Sequence, residues 1–404
     1  MKKILFLFLS TFISLTIISC GSSDDGSTST DNTTTSPWTK QLGTSSSDGG
    51  SGVTTDSSGN VYVTGYTLGG LDGNTNSGSY DMFLVKYNSS GTKQWTKQLG
   101  SSGWDWGNGV TTDSSGNIYV TGYTNGGLDG NTNSGGELDE NTNKGPTDMF
   151  LVKYDSSGTK QWTKQLGTSK GDYGRSVTTD SSDNIYLTGS TWGGLDGNTN
   201  LADNDIFLVK YNSSGTRQWT KQLGTTYTDY GLGVITDSSG NIYVTGEIGA
   251  GLDGNTYLGD FDIFLVKYNS SGTKQWTKQL GTSSSDSGNG VTTDSSGNIY
   301  VTGSTGGGLD GNTNYGNDCS VPPGFWNSIN NCSDIFLVKY NSSGTKQWTK
   351  QLGTSSGDYG NDVTTDSSGN IYVTGSTNGG LDGNTNSGSY DIFIVKYNSS
   401  GIKQ

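Results

Sequence analysis

The chain has 404 residues, a formal net charge of −14 and 66 glycines, yet its 22 Tyr, 11 Phe and 10 Trp exceed what a disordered chain carries. It contains no His, which excludes an imidazole base, a Ser-His nucleophile and His metal ligands. The acidic balance repels nucleic-acid phosphates, and two Arg (Arg175 and Arg217) are too few for a phosphate-binding cluster, so we expect no nucleic-acid partner.

Residues 1–19 have the pattern of a secretory signal, with Lys2 and Lys3 before a short apolar run. The segment I-I-S-C-G at residues 17–21 resembles the bacterial lipobox, in which the signal is cleaved before a cysteine that is then lipidated. The resemblance implies a lipid anchor on Cys20 and an outer-membrane lipoprotein, at the cell surface or on the periplasmic face. The alternative is an ordinary signal peptide with a cysteine there by chance.

Residues 20–37 comprise the lipidated Cys and a tether rich in Ser, Thr, Gly and Asp. The tether has no apolar residue between positions 21 and 36. Such a segment can bury nothing and is expected to act as a flexible tether.

A repeat fills the remaining chain, residues 38–404. The phrase W-T-K-Q-L-G begins at residues 38, 95, 162, 219, 276 and 348, which gives a period of 57 with insertions in the second and fifth units. Each unit contains four runs rich in β-branched and aromatic residues: G-V-T-T-D (A), N-I-Y-V-T-G (B), D-I-F-L-V-K-Y (C) and T-K-Q-W-T-K-Q-L (D). The segments D-S-S-G-N and N-S-S-G-T predict tight A–B and C–D hairpin turns.

Four antiparallel strands in each of six units predict an all-β, six-bladed β-propeller. The N-terminal Trp38–Leu42 segment is a D run without its own A, B and C, whereas the last unit has no D. We therefore expect the N-terminal strand to pair with the last C strand, Ile392–Tyr397, and to close the ring as a monomer. The alternative is an open solenoid, which would need capping repeats at its ends.

The run G-V-T-T-D-S-S-G-N-I-Y-V-T-G, followed by D-x-F-L-V-K-Y-N-S-S-G-T-K-Q-W, resembles the bacterial SBBP beta-propeller repeat family, and more distantly NHL-type propellers. The resemblance covers residues 38–404 and implies the fold. It implies no activity, because that family has no common biochemistry.

Polar residues repeat from unit to unit on the face formed by the D–A and B–C loops. One set precedes each A run and could hold a cation near the channel, although backbone capping is the favoured interpretation: Asp48, Asp105, Asp172, Asp229, Asp286 and Asp358. The L-D-G-N-T-N motif resembles the start of a calcium loop but lacks the Gly and the bidentate Glu of that loop. We therefore expect no cofactor, with weak binding of Ca²⁺ as the alternative to a purely turn-forming role. The residues concerned are Asp72, Asn74, Asn76, Asp129, Asn131 and Asn133.

Aromatic residues at unrepeated positions mark the same loop face. They suit sugar rings or protein partners, with packing beneath loops as the alternative: Trp104, Trp106, Tyr173, Trp192, Tyr227, Tyr230, Phe325, Trp326 and Tyr359. Cys319 and Cys332 flank the fifth-unit insertion and, in an exported chain, are expected to form a disulfide that presents Phe325 and Trp326.

Two classes of function fit these features. The first is a membrane-anchored, non-catalytic binding module for a glycan or protein. The second is a propeller enzyme acting on polysaccharide, for which Glu247 is the best single residue because the other units have Tyr or Ser there, but no paired carboxylate is apparent. A periplasmic scaffold protein is the third alternative. We assign no catalytic residue and favour binding over catalysis.

Overall fold

The computed structural model describes residues 38–135, 146–201, 203–316 and 333–404. Chain contacts separate the segment Met1–Pro37 from the unit Trp38–Gln404, and only the second is described below. The predicted signal, Cys20 and tether therefore lie outside the described residues. Among the described residues there is no helix long and apolar enough to cross a bilayer.

Six antiparallel sheets, here called blades 1 to 6, follow one another along the chain, which confirms the predicted propeller. In blades 1 to 5 the strands pair in the order A-B-C-D, so each strand lies beside the next in sequence. Blades 1 to 3 contain β1 (Asp48–Thr55), β2 (Val61–Thr67), β3 (Asp81–Tyr87), β4 (Lys93–Leu99), β5 (Asp105–Thr112), β6 (Ile118–Thr124), β7 (Asp148–Tyr154), β8 (Lys160–Leu166), β9 (Asp172–Thr179), β10 (Ile185–Thr191), β11 (Asp205–Tyr211) and β12 (Arg217–Leu223).

Blades 4 and 5 repeat this order and blade 6 contains its first three strands. Their strands are β13 (Asp229–Thr236), β14 (Ile242–Ile248), β15 (Asp262–Tyr268), β16 (Lys274–Leu280), β17 (Asp286–Thr293), β18 (Ile299–Thr305), β19 (Asp334–Tyr340), β20 (Lys346–Leu352), β21 (Asp358–Thr365), β22 (Ile371–Thr377) and β23 (Asp391–Tyr397). In each B–C loop the L-D-G residues form a short 3-10 turn, the first at Leu71–Gly73.

The A–B hairpin is organised by its first aspartate. In blade 1 the Asp56 carboxylate accepts hydrogen bonds from the backbone N–H groups of Ser58 and Asn60, both at 2.9 Å, and from the Tyr62 hydroxyl at 2.9 Å. Gly59 takes a positive φ of 74°, which a residue without Cβ adopts at little cost. The turn residues thus fix the register of the pair β1–β2 and bury the Tyr62 ring between blades.

Neighbouring blades pack through alternating apolar residues. Between blades 3 and 4, Tyr186, Ile206 and Leu208 of one sheet meet Val244 and Phe264 of the next, all buried. Because side chains alternate across a strand, each inner sheet presents one apolar set to the preceding blade and another to the following blade. The core of this molecule is therefore a series of layers between sheets.

Every A strand carries a β-bulge. In β9 the pairing with β10 passes from Gly174 to Ser176, so Arg175 has no partner in the ladder. The equivalent unpaired residues in the other A strands are Ser51, Asn108, Leu232, Asn289 and Asn361. A bulge redirects the side chain of its extra residue, which here lies where the A strands of adjacent blades meet.

The sixth sheet has three strands, β21-β22-β23, and residues 38–42 form no strand. The predicted closing pair is therefore not confirmed. Ile392 and Ile394 of β23 are 92% and 74% exposed, and Val53 of β1 is 63% exposed, whereas the equivalent residues inside the array are buried. The outward apolar faces of blades 1 and 6 have no neighbouring blade against them.

Candidate functional site

The D–A and B–C loops lie on one side of the blades, because all strand pairs are antiparallel and the A–B and C–D hairpins occupy the other side. The repeated aspartate at the head of each A strand bonds inside its own blade on that side. The Asp105 carboxylate accepts hydrogen bonds from the Ser101 backbone N–H (2.6 Å) and the Ser101 hydroxyl. Asp172 is held in the same way by Thr168. This arrangement is the backbone capping that the sequence favoured for these residues.

Five of the six head-of-A carboxyls are buried, Asp48 being the exception, and burial raises the pKa of Asp105 to about 6 against the lowering by hydrogen bonds from Thr124 and Ser101. The same cause raises the pKa of Asp172, Asp229 and Asp286 to about 6. A carboxyl that titrates this close to neutrality can hold a proton in the folded protein at mildly acidic pH.

The L-D-G-N-T-N residues form the B–C turns. Asp72 lies in the left-handed region with φ 53°, and its carboxylate pairs with Lys93 at 2.5 Å and accepts a hydrogen bond from Thr96. The Asn74 amide donates to the Leu71 carbonyl at 2.7 Å, and the Asn76 amide donates to the Ser79 carbonyl at 3.1 Å. The second motif repeats these contacts: Asp129 pairs with Lys160, Asn131 donates to Leu128, and Asn133 donates to Pro146.

The Asp and Asn side chains that would coordinate calcium instead bond to lysine and to backbone carbonyls. Among residues the structure describes, no group of three or more His, Cys, Asp or Glu is gathered as a metal site. Calcium binding at these loops stays a prediction, and the contacts support the turn-forming alternative.

Five aromatic side chains form a continuous row across blades 1 to 3. Tyr80 meets Tyr66 edge-on with ring centroids 5.4 Å apart, Tyr66 lies 3.9 Å from Trp106, Trp106 stacks 6.0 Å from Tyr123, and Tyr123 meets Tyr173 at 5.1 Å. We call these residues the aromatic row. All five are half-buried, so part of each ring is accessible. Rings at these spacings attract one another and hold the surface in place.

Arg175 extends the aromatic row with a positive charge. Its guanidinium carbon lies 5.6 Å from the centre of the Tyr173 ring and 5.9 Å from that of Tyr123, a cation–π geometry. The Nε atom of Arg175 is buried and has no hydrogen-bond partner among the described residues. The side chain is thus held by ring faces rather than by acceptors.

Polar residues of blades 3 and 4 continue the surface beyond Arg175. The amide of Asn204 donates to the Tyr230 hydroxyl at 3.4 Å. Burial raises the pKa of Glu247, while a hydrogen bond with Ser287 and the charge of Arg175 lower it. The Glu247 and Arg175 charges also act on the pKa of Tyr230, whose shift upward is dominated by burial. Aromatic, cationic and acidic groups therefore share one region.

The remaining predicted residues are dispersed. Trp104 is half-buried beside the Asn125 side chain, whereas Trp192 and Tyr227 are 46% and 62% exposed in loops. Tyr359 contacts Tyr390 in blade 6, with ring centroids 6.1 Å apart. Four predicted residues lie outside the described residues, so their disulfide and aromatic loop stay predictions: Cys319, Phe325, Trp326 and Cys332.

Sequence reasoning missed Tyr66, Tyr80, Tyr123 and Arg175. Tyr66 and Tyr123 lie in B strands at the position that Glu247 occupies in blade 4. The antiparallel register puts Tyr123 opposite Trp106, so pairing the variable A and B positions would have found the row. The sequence around Arg175 does not predict the bulge that redirects its side chain.

Each of the six units matches the family model described as "SBBP: Beta-propeller repeat", over residues 38–72, 94–129, 161–196, 218–253, 275–310 and 347–382. The chain belongs to the SBBP beta-propeller repeat family. Each match runs from the Trp of a D strand, or the residue before it, through the next A–B hairpin to the L-D-G turn. The SBBP match thus covers the repeated framework and assigns no ligand to the loop face.

Two curated proteins are similar to this SBBP chain. An uncharacterized WD repeat-containing protein, L264, of Acanthamoeba polyphaga mimivirus is 26% identical over 251 residues, 51% of this chain and 18% of its own length. The regulatory protein FlaEY of Caulobacter vibrioides is 26% identical over 191 residues, 44% of this chain and 20% of its own length. The chain spans about a fifth of the length of these relatives.

Two solved structures are also similar to this chain. A luciferin-regenerating enzyme matches with a TM-score of 0.40 at 11% identity, covering 88% of each chain. A gluconolactonase from Xanthomonas campestris matches with a TM-score of 0.38 at 11% identity, covering 73% of this chain and 78% of that one. Likenesses of this size carry no information about the activity of the SBBP chain.

Proposed function

We propose that this SBBP protein is a non-catalytic binding module that is anchored to the membrane through Cys20 and holds a glycan on the face carrying the aromatic row. The observation that carries the proposal is the row itself, because its residues differ from blade to blade while the framework around them repeats. Variable residues on a rigid scaffold are the usual place for binding.

The chemistry of the row favours saccharides. The C–H face of a sugar ring packs on an aromatic face, and hydroxyl groups need donors and acceptors nearby. Several polar atoms of this region are buried without a partner among the described residues, as a ligand's hydroxyls would require: Trp106 Nε1, Thr147 Oγ1, Ser190 Oγ and Asn204 Oδ1.

The test is binding of the purified full chain in detergent to a panel of immobilised oligosaccharides, with protein ligands as a second panel. Trp106→Ser should weaken saccharide binding about tenfold or more, because it removes the ring at the centre of the row. Blade 5 has Ser287 at this position, so the scaffold accommodates serine. Tyr227→Ser is the matched control, since Tyr227 is an exposed aromatic outside the row.

Equal losses of saccharide affinity in Trp106→Ser and Tyr227→Ser would place the binding site on the exposed loop residues and not on the aromatic row. Binding in the protein panel alone would overturn the glycan proposal. Anchoring is tested separately by replacing Cys20 with Ser, which should release the protein from membranes if the cysteine carries acyl chains. Retention of Cys20→Ser in the membrane fraction would contradict the anchor.

A further inference from the structure

Arg175 lacks an interaction that two of its five counterparts make. At the same bulge position in blades 2 and 5, the Asn108 amide donates to the Gly174 carbonyl at 2.7 Å and the Asn289 amide donates to the Gly360 carbonyl at 2.8 Å. These bonds tie the A strands of adjacent blades. Arg175 donates no such bond, and its guanidinium lies instead over Tyr123 and Tyr173. Arg175 therefore replaces a bond between blades by contacts with two ring faces, and a departure of this kind from the repeat is expected at functional positions.

The donors of Arg175 are not consumed by acids of the chain. The ion pairs within the described residues join Lys or Arg of an outer strand, or Lys403, to the aspartate of an L-D-G turn, and none includes Arg175. Arg217, the other arginine, is one of those paired cations. Glu247 is within electrostatic reach of Arg175 but forms no ion pair with it. Arg175 therefore keeps its planar fork of N–H groups for an external acceptor.

We propose that Arg175, with Tyr173 and Trp106, forms a subsite for the carboxylate of an acidic saccharide such as a hexuronic acid unit. The inference rests on the proposed glycan-binding function and names the class of glycan. A guanidinium binds a carboxylate through two parallel hydrogen bonds, and the flanking rings fix its plane. The sugar ring then lies along the aromatic row.

Because the net charge of the chain is −14, selectivity for a carboxylate depends on close contacts and not on long-range attraction. A strongly acidic protein repels an acidic saccharide at long range, so the carboxylate is recognised only by a close contact that replaces its hydration. Arg175 is the group in the described part of this surface that can make that contact with a planar fork.

The experiment compares tri-galacturonic acid with its fully methyl-esterified form, which keeps the sugar rings and removes the charge. Calorimetric titration of the purified full chain in detergent should show the acid binding about tenfold or more tightly than the ester. Arg175→Asn should reduce acid binding by a similar factor and ester binding far less, so that the two affinities become nearly equal. Asn is the residue of blades 2, 5 and 6 at this bulge, so the variant restores the repeat's own choice.

Arg217→Lys is the matched control, since the outer strands of the other blades have Lys at this position, and it should bind both probes as the parent does. Equal affinity of the parent for acid and ester, or an unchanged acid affinity in Arg175→Asn with an unchanged thermal midpoint, overturns the carboxylate subsite while glycan binding stands. Absence of binding to both probes and to the whole saccharide panel overturns the glycan function itself.

Discussion

Pairs of buried carboxyls lie at the junctions between blades. A Cβ atom built on Gly167 would lie 2.1 Å from Asp148 Oδ1 and 3.0 Å from Asp172 Oδ2, so both groups surround one glycine. Asp148 begins a C strand of blade 2 and Asp172 begins the A strand of blade 3. Burial raises the pKa of both groups, and the charge of Asp148 adds to the rise at Asp172. Two like charges this close are easier to hold when one carries a proton.

The pH dependence of stability follows from these raised values. A carboxyl with a pKa of about 6 in the folded state and 3.8 in the unfolded state binds more protons when folded, so its contribution is full below pH 3.8 and is lost as pH rises through about 6. We expect the thermal midpoint to increase as pH falls from about 7 to about 5. Asp172→Asn should reduce that slope. A midpoint that decreases steadily over this range would contradict the assignment.

The reverse trend applies at lower pH. Hydrogen bonds from Asn184 and Tyr186 hold the pKa of Asp180 below its ordinary value despite burial, and Asp56 and Asp294 have equivalent contacts. Their contribution is present above pH 3.8 and is lost as pH falls through their lowered values. Stability should therefore peak in mildly acidic solution.

Substitutions at Asp183 measure the free-energy cost of a positive φ at a single turn. It has φ 59° where the other A–B turns have Gly, and its carboxylate accepts a hydrogen bond of 2.9 Å from the Ser114 hydroxyl of the preceding blade. Asp183→Ala should lower the free energy of unfolding by about 1–2 kcal/mol because Ala is disfavoured there and lacks the acceptor. Asp183→Gly should change it by less than about 1 kcal/mol, which urea denaturation measures. Equal losses in both variants would assign the cost to the hydrogen bond.

Hairpins act as elements of contact between blades as well as turns within them. Gly158 of the C–D turn in blade 2 has φ 80°, and a Cβ there would lie 2.9 Å from the Trp95 ring of blade 1. Gly116 of the A–B turn in the same blade has φ 77°, and its nearest such neighbour is Ser156 Cβ at 3.7 Å. The two glycines therefore share a backbone requirement and differ in packing.

Alanine at these two positions separates strain from packing. Gly116→Ala should cost about 1–2 kcal/mol for the positive φ alone. Gly158→Ala should cost about 1–3 kcal/mol more, because the indole of Trp95 must move. Trp95→Phe should narrow the difference between the two variants in denaturant melts. Equal destabilisation would show that the Trp95 contact contributes nothing to blade packing.

The regular elements could be predicted because hairpin chemistry and strand composition agree six times: D-I-F-L-V-K-Y became β11, β15 and β19 with their register. The A strands begin earlier than predicted, at Asp48 rather than at Gly52, because the ladder continues past the bulge. The site was only partly predictable. Trp106 and Tyr173 stood out as unrepeated, whereas the direction of Arg175 depends on a bulge, which is set by packing between blades.

At the scale of the whole molecule, the exposed faces of blades 1 and 6 complement each other. Trp38 packs beside Gly91 of blade 1 as Trp95 packs beside Gly158 of blade 2, so it has the position of an outer-strand Trp of a preceding blade. Lys403 bridges Tyr397 and pairs with Asp382, as Lys93 does with Tyr87 and Asp72. A pocket in blade 6, lined by Leu381, Phe393 and Val395, lies beside β23 where an outer strand would run.

We expect residues 38–42 to complete blade 6 in solution, and the closed ring to bury Ile392 and Ile394 against blade 1 as Ile206 and Leu208 are buried against blade 4. Each is worth about 1.5–3 kcal/mol when fully buried. By analogy with the pair Leu337–Lys350, Ile394 should face Lys40. Cysteines at Lys40 and Ile394 should form a disulfide within one chain, detected by peptide mapping after oxidation. Lys40 with Phe393 is the control, since adjacent strand residues point to opposite faces. A disulfide found only between two chains would replace ring closure by head-to-tail pairing.

The bulge position of the A strands accepts different side chains in different blades. The extra residue has been Ser, Asn, Arg or Leu in different blades while the flanking ladder stayed the same, so this position can drift without unfolding the molecule. Together with the facing A and B positions it forms a small cassette that recombination between repeats can copy from blade to blade. Under the proposed function, exchanging whole repeats would change the binding surface, and a designer could transplant that surface in the same way.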